Sequence, residues 1–236
     1  MNGTKKSVAI HQPSFFPWLG FFDKIKKADI FVILDNVQFP KTGGFWANRV
    51  KILISGRPDW MTMPIIRSYS GLRNINEMEI NNLTPWREKL LKTIEINYKK
   101  AEHFNRVFPI IRDLLNFQTD SLLEYNLNTI NAFRSILEIK KPDFYLASSL
   151  NTSGKATELL VSIVKAVNCN EYICGGGAAN YQVDEKFEAE NITLTHQNFV
   201  SPVYKQFNTE KFESGLSIID VLFNCGIPGV KKLLMP

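Results

Sequence analysis

His11 and Asp35 are the side chains of this sequence best placed for acid–base chemistry. His11 closes a short apolar run, Val8-Ala9-Ile10, and a Gln12-Pro13 pair follows it. Histidine is the only side chain whose unperturbed pKa lies near neutrality, so one at a strand end can take a proton from an attacking group. Asp35 closes a second apolar run, Ile30 to Leu34. Its carboxylate can orient an imidazole or accept from a hydroxyl or amine of a substrate. The plainer reading is that His11 only bonds the backbone of a tight loop. Its place at a strand end favours chemistry.

Further along the chain are groups suited to binding an anion or a sugar. The stretch QFPKTGGFWANR, from Gln38 to Arg49, mixes glycines, aromatics and hydrogen-bonding side chains. Arg49 offers a planar fork for phosphate or carboxylate, Asn48 adds an amide, and Trp46 or Phe45 can stack on a base or sugar. The alternative is a surface loop whose rings pack on the core. Ser148 and Ser149 follow another apolar run, and Thr152-Ser153-Gly154-Lys155 resembles the end of a phosphate-binding loop. That pattern fails, because Ser149 stands where a glycine is required and Ala156 replaces the Ser/Thr. A helix start there can still cradle a phosphate, although ordinary capping by Ser153 competes with it. Gly175, Gly176 and Gly177 are followed by Ala178 and Asn180, which is not the dinucleotide fingerprint. They let backbone approach a ligand or make a turn. Cys174 is a weak nucleophile candidate, being in an apolar strand with no histidine near it in sequence.

The elements that must position these groups are legible from periodicity. Ser7–Gln12 and Ile30–Leu34 read as strands around a helix over Phe21–Ala28, with Phe21, Phe22 and Ile25 on the buried face and Lys24 and Lys27 on the other. The continuous apolar run of the second strand is that of a parallel sheet covered on both sides. Arg49–Ile54 and Trp60–Ile65 flank a Ser-Gly-Arg-Pro-Asp turn and predict a hairpin. Three helices follow: one capped by Thr84 with Pro85 at its first position, one over Phe108–Phe117, and one after Asp120. The α/β pattern resumes with strands at Phe144–Ala147, Tyr172–Cys174 and Ile192–Thr195. Helices lie between them, the first capped by Ser153 and the second starting at Asp184. An extended arm, Ser201–Gly215, leads to a last helix, Leu216–Asn224, stopped at Gly226. The expected architecture is therefore α/β: a mostly parallel sheet flanked by helices in one domain over residues 1–236. Residues 83–141 are expected to form an inserted helical subdomain. If the strands share one sheet and one direction, His11, Asp35, Ser148 and Gly175 converge at its carboxyl edge.

Composition narrows the function. The chain has 236 residues, of which 44% are apolar and 22% charged, which suits a globular protein and not a disordered segment. No apolar run approaches the ~18–20 residues of a membrane span, and the N-terminal stretch does not read as a signal peptide, so a cytoplasmic protein is expected. Cys169, Cys174 and Cys225, like His11, His103 and His196, are widely separated, so no metal and no cofactor is expected. The net charge of +5 is spread as isolated pairs such as Lys26–Lys27 and Lys231–Lys232, with acidic residues between. Nucleic acid would want a stripe, so the expected partner is a small anionic molecule, a sugar nucleotide or activated acyl donor. Self-association into a homo-oligomer stays open.

Two blocks carry a resemblance to a known family. HQPSFFPWLGFFDKIKKADIFVILDNVQF, followed by NRVKI, and the pair YICGGGAANY and LSIIDVLFNCG resemble the WbqC-like proteins of bacterial surface-polysaccharide clusters. The resemblance implies a role in O-antigen (lipopolysaccharide) biosynthesis, with acyl or aminoacyl (glycine) transfer to an amino sugar. Its motif residues fall on His11, Gln12, Pro13, Trp18, Asp35, Gln38, Asn48, Arg49, Tyr172, Gly175, Tyr181, Asp220 and Asn224. Cys225 stands where the family pattern has an acidic residue, and Gly176 and Gly177 lengthen its glycine run. Two other readings stay beside transfer: nucleotidyl or adenylyl chemistry, and a non-catalytic subunit of the glycan-assembly machinery.

Overall fold

The computed structural model describes residues 6–176 and 183–235. In chain order its strands are β1 (Ser7–His11), β2 (Ile30–Ile33), β3 (Arg49–Ile54), β4 (Arg57–Thr62), β5 (Asp143–Leu146), β6 (Glu171–Cys174) and β7 (Thr193–His196). The helices are α1 (Leu19–Lys27), α2 (Trp86–Tyr98), α3 (Phe104–Leu115), α4 (Leu122–Ile136), α5 (Thr157–Ala166), α6 (Asp184–Glu188) and α7 (Ile218–Leu233). The fold is α/β, and the chain forms two compact units. One comprises the chain up to Gln12, Asp23–Asn36 and Ile139–Val200; the other comprises Pro13–Phe22, Val37–Glu138 and Ser201 onward.

The first unit is built on a five-stranded sheet of order β5-β2-β1-β6-β7. Every pair in it is parallel, with His11 level with Ile33, and Cys174 with His196. The parallel arrangement follows from the sequence: Ile30–Ile33 is buried at every position, as a strand covered on both faces must be. Val8, Ile10, Ile30, Val32, Tyr172 and Cys174 face one way and pack with Leu160, Ile163 and Val164 of α5 and Phe187 of α6. Asp29 fastens the start of β1 by accepting from the Ser7 backbone N–H at 3.0 Å and its hydroxyl at 2.9 Å.

The second unit holds the β3–β4 hairpin, α2, α3, α4, the C-terminal arm and α7. The SFFP corner supplies an aromatic core. Phe15 and Phe16 meet edge to face at 4.9 Å, and Phe16 and Phe22 each approach Phe133 of α4 at about 6 Å. Asp220 is fully buried and accepts from Tyr98 Oη (2.9 Å), Tyr204 Oη (2.6 Å) and Gln206 Nε2 (3.2 Å). Asn224 one turn later accepts from the Phe207 N–H at 2.7 Å. These bonds pin the arm that the sequence reads as extended.

Several boundaries differ from the sequence expectation, each for a local reason. Ser55 and Gly56 both take positive φ (51° and 76°), so the hairpin turns in two residues and β4 starts at Arg57. Pro58 is tolerated there because it faces Leu53, whose own N–H points out of the ladder to Tyr98 Oη at 2.8 Å. Helix α3 begins at Phe104 and carries Pro109 inside it. Ser153 does not cap α5: Gly154 (φ 90°) and Ala156 (φ 48°) turn the chain, and the helix starts only at Thr157. The last helix breaks at Gly226 (φ 65°, ψ 172°) as expected, but a second helical piece containing Pro228 continues to Leu233. Lys24, assigned by periodicity to the solvent face of α1, is only 3% exposed.

Candidate functional site

The order of the parallel sheet locates a switch point. From β1 the chain moves outward to β2 and then β5, returns to β6 on the other side of β1, and continues outward to β7. The direction of winding therefore reverses between β1 and β6. Connections leave the carboxyl ends of those two strands in opposite directions, and ligands of open α/β sheets bind at such a reversal. His11 ends β1 and Gln12 follows it, and Gly175 and Gly176 follow β6.

His11 is partly buried, and its Nδ1 lies 2.9 Å from the Gln12 carbonyl oxygen. A carbonyl only accepts, so Nδ1 carries the ring proton and Nε2 holds the lone pair. Burial and, after it, the charge of Lys24 push the His11 pKa down to about 4, against the opposing effect of the Gln12 bond. The imidazole is neutral at physiological pH. Lys24 donates to the Ile10 carbonyl at 3.2 Å, and burial lowers its own pKa to about 8. A Cβ placed on Gly175 would lie 3.6 Å from Lys24 Nζ, while one on Gly176 would meet open space.

Asp35 is fully buried at the end of β2. It accepts from Ser148 twice, from the backbone N–H at 2.9 Å and from the hydroxyl at 2.6 Å, and so joins the ends of β2 and β5. Ser149 turns its hydroxyl to the Leu146 carbonyl at 2.7 Å, and the Ser153 N–H donates to Ser162 Oγ at 3.0 Å. Ser153 and Gly154 line a groove of about 700 Å³ along α5 and α6. Its cations Lys165 and Lys186 already pair with Glu190 and Glu158, so it has little to offer an anion. Tyr172 is buried with its ring stacked on Phe187 at 5.4 Å. Tyr181 and Gly177 lie outside the described residues.

Trp18, Gln38, Asn48 and Arg49 belong to the second unit. Asn48 is buried, its carbonyl oxygen accepting from the Phe45 N–H and its amide donating to Met63 O, both at 3.0 Å, so it shapes its own loop. Arg49 lies 4.0 Å above the Trp60 ring, which Lys51 also approaches and which sits 5.4 Å from Trp46. Trp46 is 47% exposed, which leaves a cationic–aromatic surface. Gln38 is exposed and bridges to Asn74, and the Trp18 indole lies over Gly20.

Sequence reasoning missed two features of the first unit. One is Lys24, which periodicity on a nine-residue helix does not separate from its exposed neighbours. The other is the partner of Cys174: His196 Nδ1 stands 3.3 Å from its Sγ, supplied by the adjacent strand although far away in sequence. That thiol is fully buried and also meets the Thr195 carbonyl, so the pair ties β6 to β7. Among the described residues, no group of three or more His, Cys, Asp or Glu side chains could hold a metal ion, and no helix is long and apolar enough to cross a membrane.

Comparison with known sequences decides the family, because the WbqC-like protein family matches residues 12–232. The chain belongs to the WbqC-like family. It is also similar, at 32% identity over 226 residues, to an uncharacterized protein of Mycobacterium tuberculosis (strain H37Rv), the match covering 94% of each chain. No solved structure matches it. This WbqC-like chain thus carries His11 at the end of β1 and Gly175 and Gly176 just after β6, the two strands that border the reversal.

Proposed function

We propose that this WbqC-like protein is a cytoplasmic enzyme of surface-polysaccharide biosynthesis that transfers an acyl or aminoacyl group, such as glycyl, to the amine of a nucleotide-linked amino sugar. The observation that carries the reading is His11: a neutral imidazole at the switch point with its proton committed to the Gln12 carbonyl and its lone pair on Nε2. In the reaction the sugar amine attacks the acyl carbonyl and a C–N bond forms. Nε2 takes the amine proton, the bond to the activating group breaks, and that group leaves with its electron pair. Backbone N–H groups after β6, at Gly175 and Gly176, would stabilise the oxyanion. Asp35 acts at one remove, holding the Ser148 turn at the same edge of the sheet.

The strand order favours one other reading at the same site. A doubly wound sheet of this order is a common nucleotide-binding frame, and nucleotidyl or adenylyl transfer would also place its nucleotide at the β1–β6 reversal. A thermal-shift screen of the full chain against UDP-, GDP- and dTDP-sugars, their 4-amino forms, ATP and glycine separates the two. A ligand at a hundredfold its Kd adds ~2.7 kcal/mol of stability. Stabilisation by amino-sugar nucleotides, with product formation abolished in His11→Gln, supports transfer. Stabilisation by ATP alone with pyrophosphate release supports adenylylation, and no shift with any of them refutes both.

A further inference from the structure

We propose that Lys24 is the anion-binding residue at the β1–β6 reversal, its buried ammonium gripping a phosphate oxygen of the ligand. The inference rests on the reading of that ligand as a sugar nucleotide, and it gives a role to a lysine that periodicity places on the solvent face. Lys24 follows Asp23 and precedes Ile25, which is wholly in the core. Asp23, the nearest carboxylate along the helix, is occupied elsewhere: it pairs with Lys27 at 2.9 Å and accepts from Gln197 at 2.8 Å. Among the described residues no carboxylate lies within ion-pairing distance of the Lys24 ammonium. Its hydrogen bond goes to the Ile10 carbonyl, which satisfies one N–H and neutralises no charge.

An ammonium taken out of water without a counter-charge is costly, and proteins keep such a group where a ligand supplies the charge. The location agrees. Ile10 is one residue from the end of β1 and Gly175 is the first residue after β6, so Nζ sits between the two strands that border the reversal. At 3.6 Å from Nζ, even a methyl group on residue 175 would be in contact with the ammonium; glycine leaves that space to a ligand. The other cations of the unit's surface groove, Lys165 and Lys186, are already paired. Burial lowers the Lys24 pKa to about 8 against the opposing effect of the nearby Cys174 thiol, and a ligand anion beside the ammonium would raise it again.

The test is calorimetric titration of the full chain with UDP, inorganic pyrophosphate and acetate, combined with melting of the unliganded protein. Wild type should bind UDP and pyrophosphate, and acetate should not compete. Lys24→Met should weaken both by about 10- to 100-fold, the loss of one charge-assisted contact. Its unliganded Tm should hold or rise, because an uncompensated charge has left the interior. A residue that only ties α1 to β1 would instead lower Tm and leave binding unchanged, which overturns the proposal. If Lys24→Met fails to fold, Gly175→Ala puts a methyl group against Nζ and should weaken pyrophosphate binding at unchanged Tm. Acetate competing as well as pyrophosphate would overturn the phosphate assignment. So would Cys174→Ser if it created anion binding that wild type lacks, because the counter-charge would then be an internal thiolate. UDP binding without transfer leaves Lys24 in place and removes the transferase reading. Transfer that depends on His11 but not on Lys24 does the opposite.

Discussion

Replacing Asp35 with asparagine should loosen the carboxyl edge of the sheet where β2 meets β5. The wild-type carboxylate is fully buried and receives two hydrogen bonds from one residue, the Ser148 N–H at 2.9 Å and its hydroxyl at 2.6 Å. Hydrogen bonds to a charged acceptor contribute ~1.5–3 kcal/mol each. The asparagine amide can still accept from the Ser148 N–H and donate to its hydroxyl oxygen, but both bonds are then between neutral groups and the charge assistance of the carboxylate is lost. Ser148 is exposed, and water can rescue part of that loss. The expected cost is therefore about 1.5–3 kcal/mol, or roughly 3–12 °C in Tm for a chain of this size. Thermal melts of wild type, Asp35→Asn, Ser148→Ala and the double variant close a cycle. The coupling energy should be at least ~1 kcal/mol, because both single changes remove the same hydroxyl–carboxylate bond. A coupling energy within ~0.5 kcal/mol of zero would refute the assignment of Asp35 as the clasp between β2 and β5.

Other outcomes follow from single contacts. Tyr98→Phe leaves the buried Leu53 N–H without its acceptor and takes one donor from Asp220, and should cost about 2–4 kcal/mol in urea unfolding. His11 has a folded pKa near 4 against an unfolded value of 6.5, so the unfolded chain binds more protons between those values. Its contribution to stability is then fully present above about pH 6.5 and is lost as pH falls toward 4; denaturant midpoints at pH 4.5 and 7.5 should show this slope flattened in His11→Gln. Gly20→Ala would put its Cβ 2.3 Å from the Trp18 ring, too close for any contact, and should cost about 1–3 kcal/mol with a change in tryptophan emission as the indole is displaced.

Much of the α/β frame is readable from order along the chain. Apolar runs ended by His11, by Asp35 and by Cys174 with its glycines are strands, because an all-apolar run of that length is stable only when covered on both faces, and such strands pair in parallel. The polar residues that end them must then collect at one edge, and His11, Asp35, Ser148 and Gly175 do belong to that edge. What lies between strands is less legible. Ser153 has the right type for a cap, but the left-handed turns at Gly154 and Ala156 decide where α5 starts, and backbone dihedrals of single residues leave little mark on composition. Lys24 and His196 show the larger limit. A lysine on a short amphipathic helix reads as solvated until the Ile10 carbonyl and the Gly175 gap are brought to its ammonium, and His196 becomes a neighbour of Cys174 only once β6 and β7 are in register. Local sequence thus determined which segments are strands and which residues end them, because burial and periodicity act over a few residues. Strand order, the switch point and the buried cation beside it were decided by tertiary structure alone, because they depend on contacts between residues far apart in the chain.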